Sequence, residues 1–219
     1  MLQTVVVVDY QNVHLTGHDL YNPGQPAHLD LIHPLHFANQ LLRIRNEKQR
    51  PGMDHASLLR VLVYRGEPSA EHDPKPYARN QAQKAEWMRD TRVQVTLRPL
   101  KYHLERDAAG QLANDADGRK IVKGKVEKGV DVLCALAVVR EARKDETELV
   151  ILASHDSDLE PALDEALDLG TAKIETFSWH DPAQPHRCRQ IRPKRGRTIW
   201  NTRLGQPEFL RCTDLTPYP

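Results

Sequence analysis

Cysteine is scarce in this chain, with only three among 219 residues. Cys134, Cys188 and Cys212 are odd in number and show no CxxC spacing, which argues against a disulfide framework and against a zinc knuckle. Disulfides are rare in reducing compartments, so this cysteine usage fits the cytoplasm. The sequence therefore predicts a cytoplasmic protein.

The sequence also lacks a long apolar run and an excess of charge of either sign. Met1 leads into a short apolar segment without a basic stretch before it, so neither a signal peptide nor a membrane span is predicted. The 31 basic and 30 acidic residues leave a net charge of +1, and no global field selects a partner. The glycine-rich phosphate loops GxxxxGK[ST] and GxGxxG are missing, as is a nucleophile-elbow context for serine or cysteine.

What the chain does contain is short apolar runs separated by helical patterns. Four valines at positions 5–8 predict a strand buried on both faces of a parallel sheet, and residues 149–153 repeat this pattern. Alternation of such strands with helices is typical of an α/β protein whose sheet is covered on both faces. We predict strands at residues 4–9, 58–64, 93–97, 149–153 and 173–177, with helices from residue 34 and at residues 76–88, 129–143 and 159–169.

Right-handed crossovers would give these five strands the order 3-2-1-4-5. The direction of winding would reverse between strands one and four, and open α/β sheets bind their ligands at such a switch point. Residues 100–125 predict a hairpin insertion, and residues 14–33 a long loop in which Gly17 argues against a zinc helix carrying His14 and His18. We divide the chain into a domain of residues 1–180 and a Pro- and Arg-rich extension of residues 181–219, either packed on the domain or trailing from it.

Acidic residues follow the apolar runs. Asp9 could form a turn, but a carboxylate directly after a buried strand needs a cation or several donors to stay charged. Asn12 either caps a turn or orients a ligand or a water molecule. Asp131 lies in an apolar helix start between valines that look buried. It is either a favourable acid near a helix N-terminus or a group that points into a shared polar cavity.

A further group of polar residues follows the strand at residues 149–153. The Ser-x-x-Glu pattern beginning at Ser157 matches a capping box, which leaves Asp156 without a capping role and favours a functional one. Asp158 would lie in the first helical turn and is also a candidate catalytic residue. We expect Ser154 to support the site with its hydroxyl group and His155 to lie on the surface.

Clustered carboxylates are unfavourable unless a cation neutralises them, because like charges raise one another's pKa. Oxygen ligands without cysteine or histidine favour Mg²⁺ or Mn²⁺, which can activate water for attack on a phosphodiester. Basic residues near the same edge are either solvated charges or contacts to a nucleic-acid backbone. They are Arg65, Arg98, Lys101, Lys125 and Lys128.

Three motifs together resemble the NYN domain of the PIN-like nuclease superfamily. They are the strand-Asp-x-x-Asn opening (Asp9 and Asn12), the Lys-Gly-Val-Asp helix start at residues 128–131, and the Ser-x-Asp-Ser-Asp element at residues 154–158. The resemblance covers residues 3–178 and implies a Rossmann-like three-layer fold and metal-dependent RNA cleavage. It implies that Asp9, Asp131 and Asp156 bind metal, with Asp158 close by and Asn12 in support.

The chain departs from this family pattern at two places. Family members often carry glycine at the position of His155, and many carry a further acid where this chain has Ala137 and Val138. Our main hypothesis is a ribonuclease dependent on Mg²⁺ or Mn²⁺, acting as an endonuclease on single-stranded or structured RNA. The alternatives are an RNA- or protein-binding module that keeps the fold without turnover, and a small-molecule phosphohydrolase. The sequence leaves the oligomeric state open, a homodimer included.

Overall fold

The computed structural model describes residues 1–107 and 110–218, and within them it has an α/β fold. In chain order the elements are β1 (Leu2–Asp9), α1 (Tyr10–Tyr21), α2 (Pro34–Glu47), β2 (Ala56–Glu67), α3 (Pro74–Trp87), β3 (Val93–Pro99), β4 (Lys101–Leu104), β5 (Val122–Val126), α4 (Val130–Ala142), β6 (Leu149–Ala153), α5 (Glu160–Leu169), β7 (Lys173–Trp179), β8 (Asn201–Leu204) and α6 (Gln206–Cys212).

The central sheet of the described chain has six parallel strands in the order β3-β2-β1-β6-β7-β8. The predicted α/β class with a mainly parallel sheet is confirmed, but the predicted number of five strands is wrong. β4 and β5 form a separate antiparallel pair in the insertion at residues 100–125. Residues 108 and 109 of that insertion, and residue 219 of the extension, lie outside the described residues.

The valines of β1 explain why both faces of the sheet are covered. Side chains alternate along a strand, so Val6 and Val8 enter one core and Val5 and Val7 the other. The first core also contains side chains of α1, α2 and α6, and the second contains those of α4 and α5. Each fully buried side chain of this size stabilises the fold by roughly 1.5–3 kcal/mol. β1 is therefore the centre of both cores.

The predicted loop after β1 is wrong at its start, because residues 10–21 form helix α1. A β-carbon added to Gly17 would lie 2.7 Å from Cε2 of Phe209 and 2.9 Å from Nε1 of Trp179. Glycine at this position therefore allows α1 to approach α6 and β7 closely.

His14 and His18 lie on this helix, and both contact the segment that follows it. Nε2 of His14 is 2.9 Å from the carbonyl oxygen of Ala27, and Nδ1 of His18 is 3.0 Å from Oδ2 of Asp30. Both imidazoles are buried. Their role in the structure is to hold the segment that follows α1.

The sixth strand comes from the C-terminal extension. β8 pairs in parallel with the end of β7, from Thr176 opposite Asn201 to Trp179 opposite Leu204. Helix α6 then places Phe209 in the first core. This part of the extension is packed on the domain.

The basic segment of the extension, residues 192–197, lies along α5. Three acids one turn apart on that helix, Glu160, Asp164 and Asp168, face it. The extension's positive charge is therefore partly neutralised within the chain. The contacts are Arg192 N–H to Glu160 Oε1 (3.4 Å), Lys194 N–H to Asp164 Oδ2 (3.0 Å), Arg195 N–H to Asp164 Oδ1 (3.2 Å), and ion pairs of Arg195 and Arg197 with Asp168.

All three cysteines are free, and Cys134 and Cys212 are buried. In the part of the chain that the structure describes, no helix has the length and apolar character to cross a membrane.

Candidate carboxylate site

A cavity of about 650 Å³ opens at the carboxyl end of β1, between α1 and the start of α4. The three acids of the sequence motifs, Asp9, Asp131 and Asp156, all line it. Glu127 and Asp19 add two further carboxylates to the lining of the cavity. The cavity lies beside the point where β1 separates β2 from β6, which is the switch point of the sheet.

Asp9 is the most deeply buried acid of this cavity, with 5% of its surface exposed. Burial raises the pKa of Asp9 to about 7, and the negative charges of Glu127 and Asp156 act in the same direction. Two donors oppose this effect: Ser154 Oγ donates to Asp9 Oδ2 (3.1 Å) and Asn12 N–H to Asp9 Oδ1 (3.4 Å). Asp9 also caps the N-terminus of α1 through the second contact. Among the described residues, the groups that act on the Asp9 carboxylate therefore include no cation.

Asp156 lies at the cavity wall but also has a local structural role. Its Oδ1 accepts a hydrogen bond from Asp158 N–H (2.9 Å) and so caps a 3-10 turn at Ser157–Leu159. The prediction that Asp156 has no capping role was therefore wrong. The predicted capping box is also wrong, because α5 begins at Glu160 without a side-chain cap. Asp158 is exposed and is not among the residues that line the cavity.

Ser154 connects the two acids of the strand ends. While its hydroxyl group donates to Asp9, the same oxygen accepts the N–H of Asp156 at 3.1 Å. Ser154 has no exposed surface. It therefore fixes the relative positions of Asp9 and Asp156.

His155 is buried, with 7% exposed surface, and the prediction that it lies on the surface was wrong. Its backbone N–H donates to Asn12 Oδ1 at 2.7 Å, and its Nδ1 lies 3.3 Å from the same oxygen. On the other side of the ring, Trp179 N–H donates to Nε2 at 3.1 Å. Burial lowers the pKa of His155 to about 4, so the imidazole is neutral at neutral pH. His155 thereby holds the amide of Asn12 in place.

The Lys-Gly-Val-Asp segment forms the turn that starts α4. Gly129 precedes the helix with φ of 77°, a left-handed conformation that favours glycine. Arg98 Nε donates to the carbonyl oxygen of Lys128 at 2.7 Å and passes close over this glycine. Asp131 is partly buried in the first helical turn, whereas Val132 is 55% exposed. The expectation that both neighbouring valines are buried is therefore wrong for Val132.

Glu127 is a site residue that the sequence reasoning missed. Its carboxylate accepts the N–H of Gly66 at the end of β2, and burial raises its pKa, with the charge of Asp131 adding to the effect. A β-carbon on Gly66 would lie 2.6 Å from Glu127 Oε2, so glycine makes room for this contact. The available signal was an acid next to the Lys-Gly-Val-Asp segment, but the alternating lysines around it resemble a solvated strand.

The five predicted nucleic-acid contacts have different surroundings in the structure. Lys128 lines the carboxylate cavity, and Arg98 supports its backbone. Lys125 forms an ion pair with Asp73 at 2.8 Å on the insertion. Lys101 is exposed on β4.

Arg65 is not a solvated charge, the first of the two predicted alternatives, because its guanidinium group packs against two aromatic rings. Its guanidinium carbon lies 4.6 Å from the ring centre of Tyr10 and 5.3 Å from that of Trp87. Nη1 donates to Gln83 Oε1 at 2.8 Å. Arg65 lines a second cavity next to the carboxylate cavity.

The donor chemistry of the carboxylate cavity fits a hard cation. Its candidate ligands are carboxylate, amide and hydroxyl oxygens, which suit Mg²⁺ and Mn²⁺. Among residues 1–107 and 110–218, however, no three Asp, Glu, His or Cys side chains are close enough together to hold one ion directly. Ala137 and Val138 are fully buried in the second core.

Comparisons with known proteins add one similar structure. No protein-family model matches the chain, and no curated protein matches it. The crystal structure of a protein of unknown function from Vibrio parahaemolyticus is similar at 18% identity and a TM-score of 0.43, covering 80% of each chain.

Proposed function

We propose that this chain is a metal-dependent ribonuclease of the NYN type in the PIN-like superfamily, cleaving RNA internally with water activated by Mg²⁺ or Mn²⁺. One observation carries the proposal. Asp9, Asp131 and Asp156, from three distant parts of the chain, line a single cavity at the switch point of the sheet. Open α/β sheets bind their ligands at this position.

The electrostatics of the cavity support a cation as part of the site. Asp9 is buried beside other carboxylates, has no positive partner among the described residues, and has a pKa raised to about 7. Mg²⁺ usually keeps several water ligands and needs only one or two direct carboxylates, which suits acids spread around a cavity. Asp9, Asp131 and Asp156 would hold the ion, and Glu127 would supply a further carboxylate.

When bound, the ion would supply a water of lowered pKa and positive charge opposite the developing phosphate charge. The chain's own groups prepare the site for this. Ser154 and Asn12 orient the Asp9 carboxylate, and His155 holds Asn12. Lys128 adds a positive charge at the cavity wall where an RNA phosphate would approach.

The test is cleavage of structured and unstructured RNAs by the purified protein with Mn²⁺. We expect EDTA to abolish cleavage, and Asp9→Asn and Asp156→Asn each to lower the rate by about 10–100-fold, the loss typical of groups that support a bound metal. Asp145→Asn is the matched control, because Asp145 is exposed and does not line the cavity. Cleavage in EDTA, or full activity of both cavity variants, would contradict the proposal.

A second candidate is an RNA-binding module without turnover. The observation that favours it is that no three acids in the described part of the chain lie close enough to hold one ion directly. Tight RNA binding with intact RNA after long incubation in Mn²⁺ would select this candidate. Release of phosphate from mononucleotides, with RNA untouched, would select a small-molecule phosphohydrolase.

A further inference from the structure

A second cavity of about 270 Å³ lies next to the carboxylate cavity, between α1, the end of β2 and α3. The two cavities share Gln11 and Leu15 in their walls, so they are neighbours across the first turn of α1. We call it the arginine pocket; the lining residues used below are Tyr10, His14, Arg65, Arg79, Asn80 and Gln83.

Arg65 carries a positive charge into this pocket, where it forms no ion pair with a described carboxylate, although the charge of Glu127 acts on it from nearby. Its Nε atom is buried and has no hydrogen-bond partner among the described residues. Its one side-chain hydrogen bond in that part of the chain goes to the neutral amide of Gln83, and no carboxylate there forms an ion pair with it. Burial lowers the pKa of Arg65. Buried charges are normally paired, so the pocket favours an anionic ligand.

The walls that hold Arg65 are fixed by their own hydrogen bonds. Tyr10 O–H donates to the carbonyl oxygen of Ile32 at 3.0 Å, and Trp87 Nε1–H donates to Asp214 Oδ2 at 2.7 Å. The guanidinium group therefore lies in a preformed aromatic frame, which lowers the entropy lost when a ligand binds.

Asn80 contributes a hydrogen-bond acceptor, whereas Arg65 contributes donors. It is 2% exposed, and its Nδ2 donates to the carbonyl oxygen of Gly66 at 3.1 Å, while Oδ1 has no partner within the described chain. A ligand with an acceptor for Arg65 and a donor for Asn80 would give both side chains a partner. His14 stays neutral at neutral pH, because burial lowers its pKa to about 4, and Arg79 adds a second cationic side chain to the lining.

We propose that the arginine pocket binds a ribonucleotide, whose phosphate accepts hydrogen bonds from Arg65 and whose ribose hydroxyl donates to Asn80. This deepens and rests on the proposed ribonuclease function, because an RNA strand leaving the carboxylate cavity reaches this pocket across Gln11 and Leu15. A ribose hydroxyl group is also what distinguishes RNA from DNA. The pocket would thus be both an anchor and a source of sugar specificity.

The test is calorimetric titration in EDTA with adenosine 5′-monophosphate, its 2′-deoxy analogue and adenosine. We expect the ribonucleotide to bind, adenosine to give no measurable binding, and the deoxy analogue to bind several-fold more weakly. Arg65→Met keeps the apolar stem between the rings and should weaken ribonucleotide binding about tenfold or more. If that variant does not fold, Arg65→Lys keeps the charge but loses the planar donor fork, and should also weaken binding.

Arg43→Met is the matched control, because Arg43 lies on α2 in an ion pair with Glu47 away from the pocket. The proposal would be overturned if the ribonucleotide bound no more strongly than adenosine. It would also be overturned if a folded Arg65 variant bound the ribonucleotide as strongly as the unmodified protein does. Equal affinity for both nucleotides would overturn the ribose assignment. RNA cleavage without nucleotide binding refutes this inference alone, whereas nucleotide binding with RNA left uncut refutes only the nuclease.

Discussion

The carboxylate of Asp9 caps a helix and also lines the carboxylate cavity. One oxygen caps α1, and the other accepts the hydroxyl group of Ser154 at the wall of the carboxylate cavity. A buried group of this kind is stable as an anion only if a cation compensates it. Without an ion the protein should therefore show a stability penalty that depends on pH.

For the metal-free protein we predict that this penalty grows from about pH 4 to pH 7. The pKa of Asp9 is about 7 in the folded state against an ordinary value of 3.8, so the folded state binds the proton more tightly and stability falls as pH rises through this window. Asp9→Asn should remove the penalty and stabilise the protein at pH 8 by about 4 kcal/mol at most.

Urea denaturation in EDTA at pH 5 and pH 8 measures this effect. The gain for Asp9→Asn should be larger at pH 8, while the exposed Asp158→Asn should show little difference between the two conditions. An equal gain at both pH values would show that burial of the charge is not the cause.

Two of the acids that line the cavity could be predicted because their positions follow from a single strand. Asp9 and Asp156 each come just after an apolar run, which predicts the carboxyl edge of a parallel sheet. Arg65 also follows a strand, yet its contacts with Tyr10 and Trp87 depend on how α1 and α3 pack. His155 was misjudged for the same reason, because the end of β7 covers it.

At the level of elements, the sequence did not predict α1 and β8, because neither has a clear apolar pattern. Tertiary contacts stabilise both elements instead. In α1, the buried face includes His14, Gly17 and His18, which satisfy neighbours across the fold instead of forming an apolar stripe. In β8, only Thr202 and Leu204 are buried, and two positions are too few to show alternation. Both elements are therefore stabilised by the parts of the fold against which they pack.

The contact between α5 and the basic segment gives a prediction for two acids of the same helix. Asp164 is 5% exposed and accepts two backbone N–H groups, so Asp164→Ala should lower the free energy of unfolding by about 1–3 kcal/mol. Asp168 forms ion pairs with arginine side chains nearer the solvent, and Asp168→Ala should cost only about 0–1 kcal/mol.

Chemical denaturation of both variants measures the comparison. An equal loss in the two would mean that the side-chain ion pairs, rather than the backbone contacts of Asp164, hold the segment on α5.

At the scale of the whole molecule, residues 1–180 and the C-terminal extension share one hydrophobic core, although the sequence suggested a boundary between them. Phe209 packs against the rings of Tyr21 and Trp179, and Asp214 accepts the indole N–H of Trp87. The composition of residues 181–219 predicted an appendage, since its prolines and arginines are typical of a surface segment. Its few apolar residues nevertheless close the first core.

We therefore predict that a chain ending at residue 180 loses cooperative unfolding. Removal of β8 and α6 exposes Trp179 and leaves the buried Trp87 indole without its acceptor, which should also increase binding of a hydrophobic dye. Thermal denaturation followed by near-ultraviolet circular dichroism measures the loss. A sharp transition within a few degrees of that of the full chain would show instead that residues 1–180 fold independently.

The central position of β1 has a consequence for synthesis on the ribosome. Asp9 and its partner Ser154 are 145 positions apart, so at typical translation rates the valine strand emerges roughly 7–30 seconds before β6 can cover its second edge. During that interval a short β-branched segment without charge is exposed to other nascent chains, a situation that promotes aggregation. Slower growth at low temperature or added chaperone should therefore raise the yield of native protein.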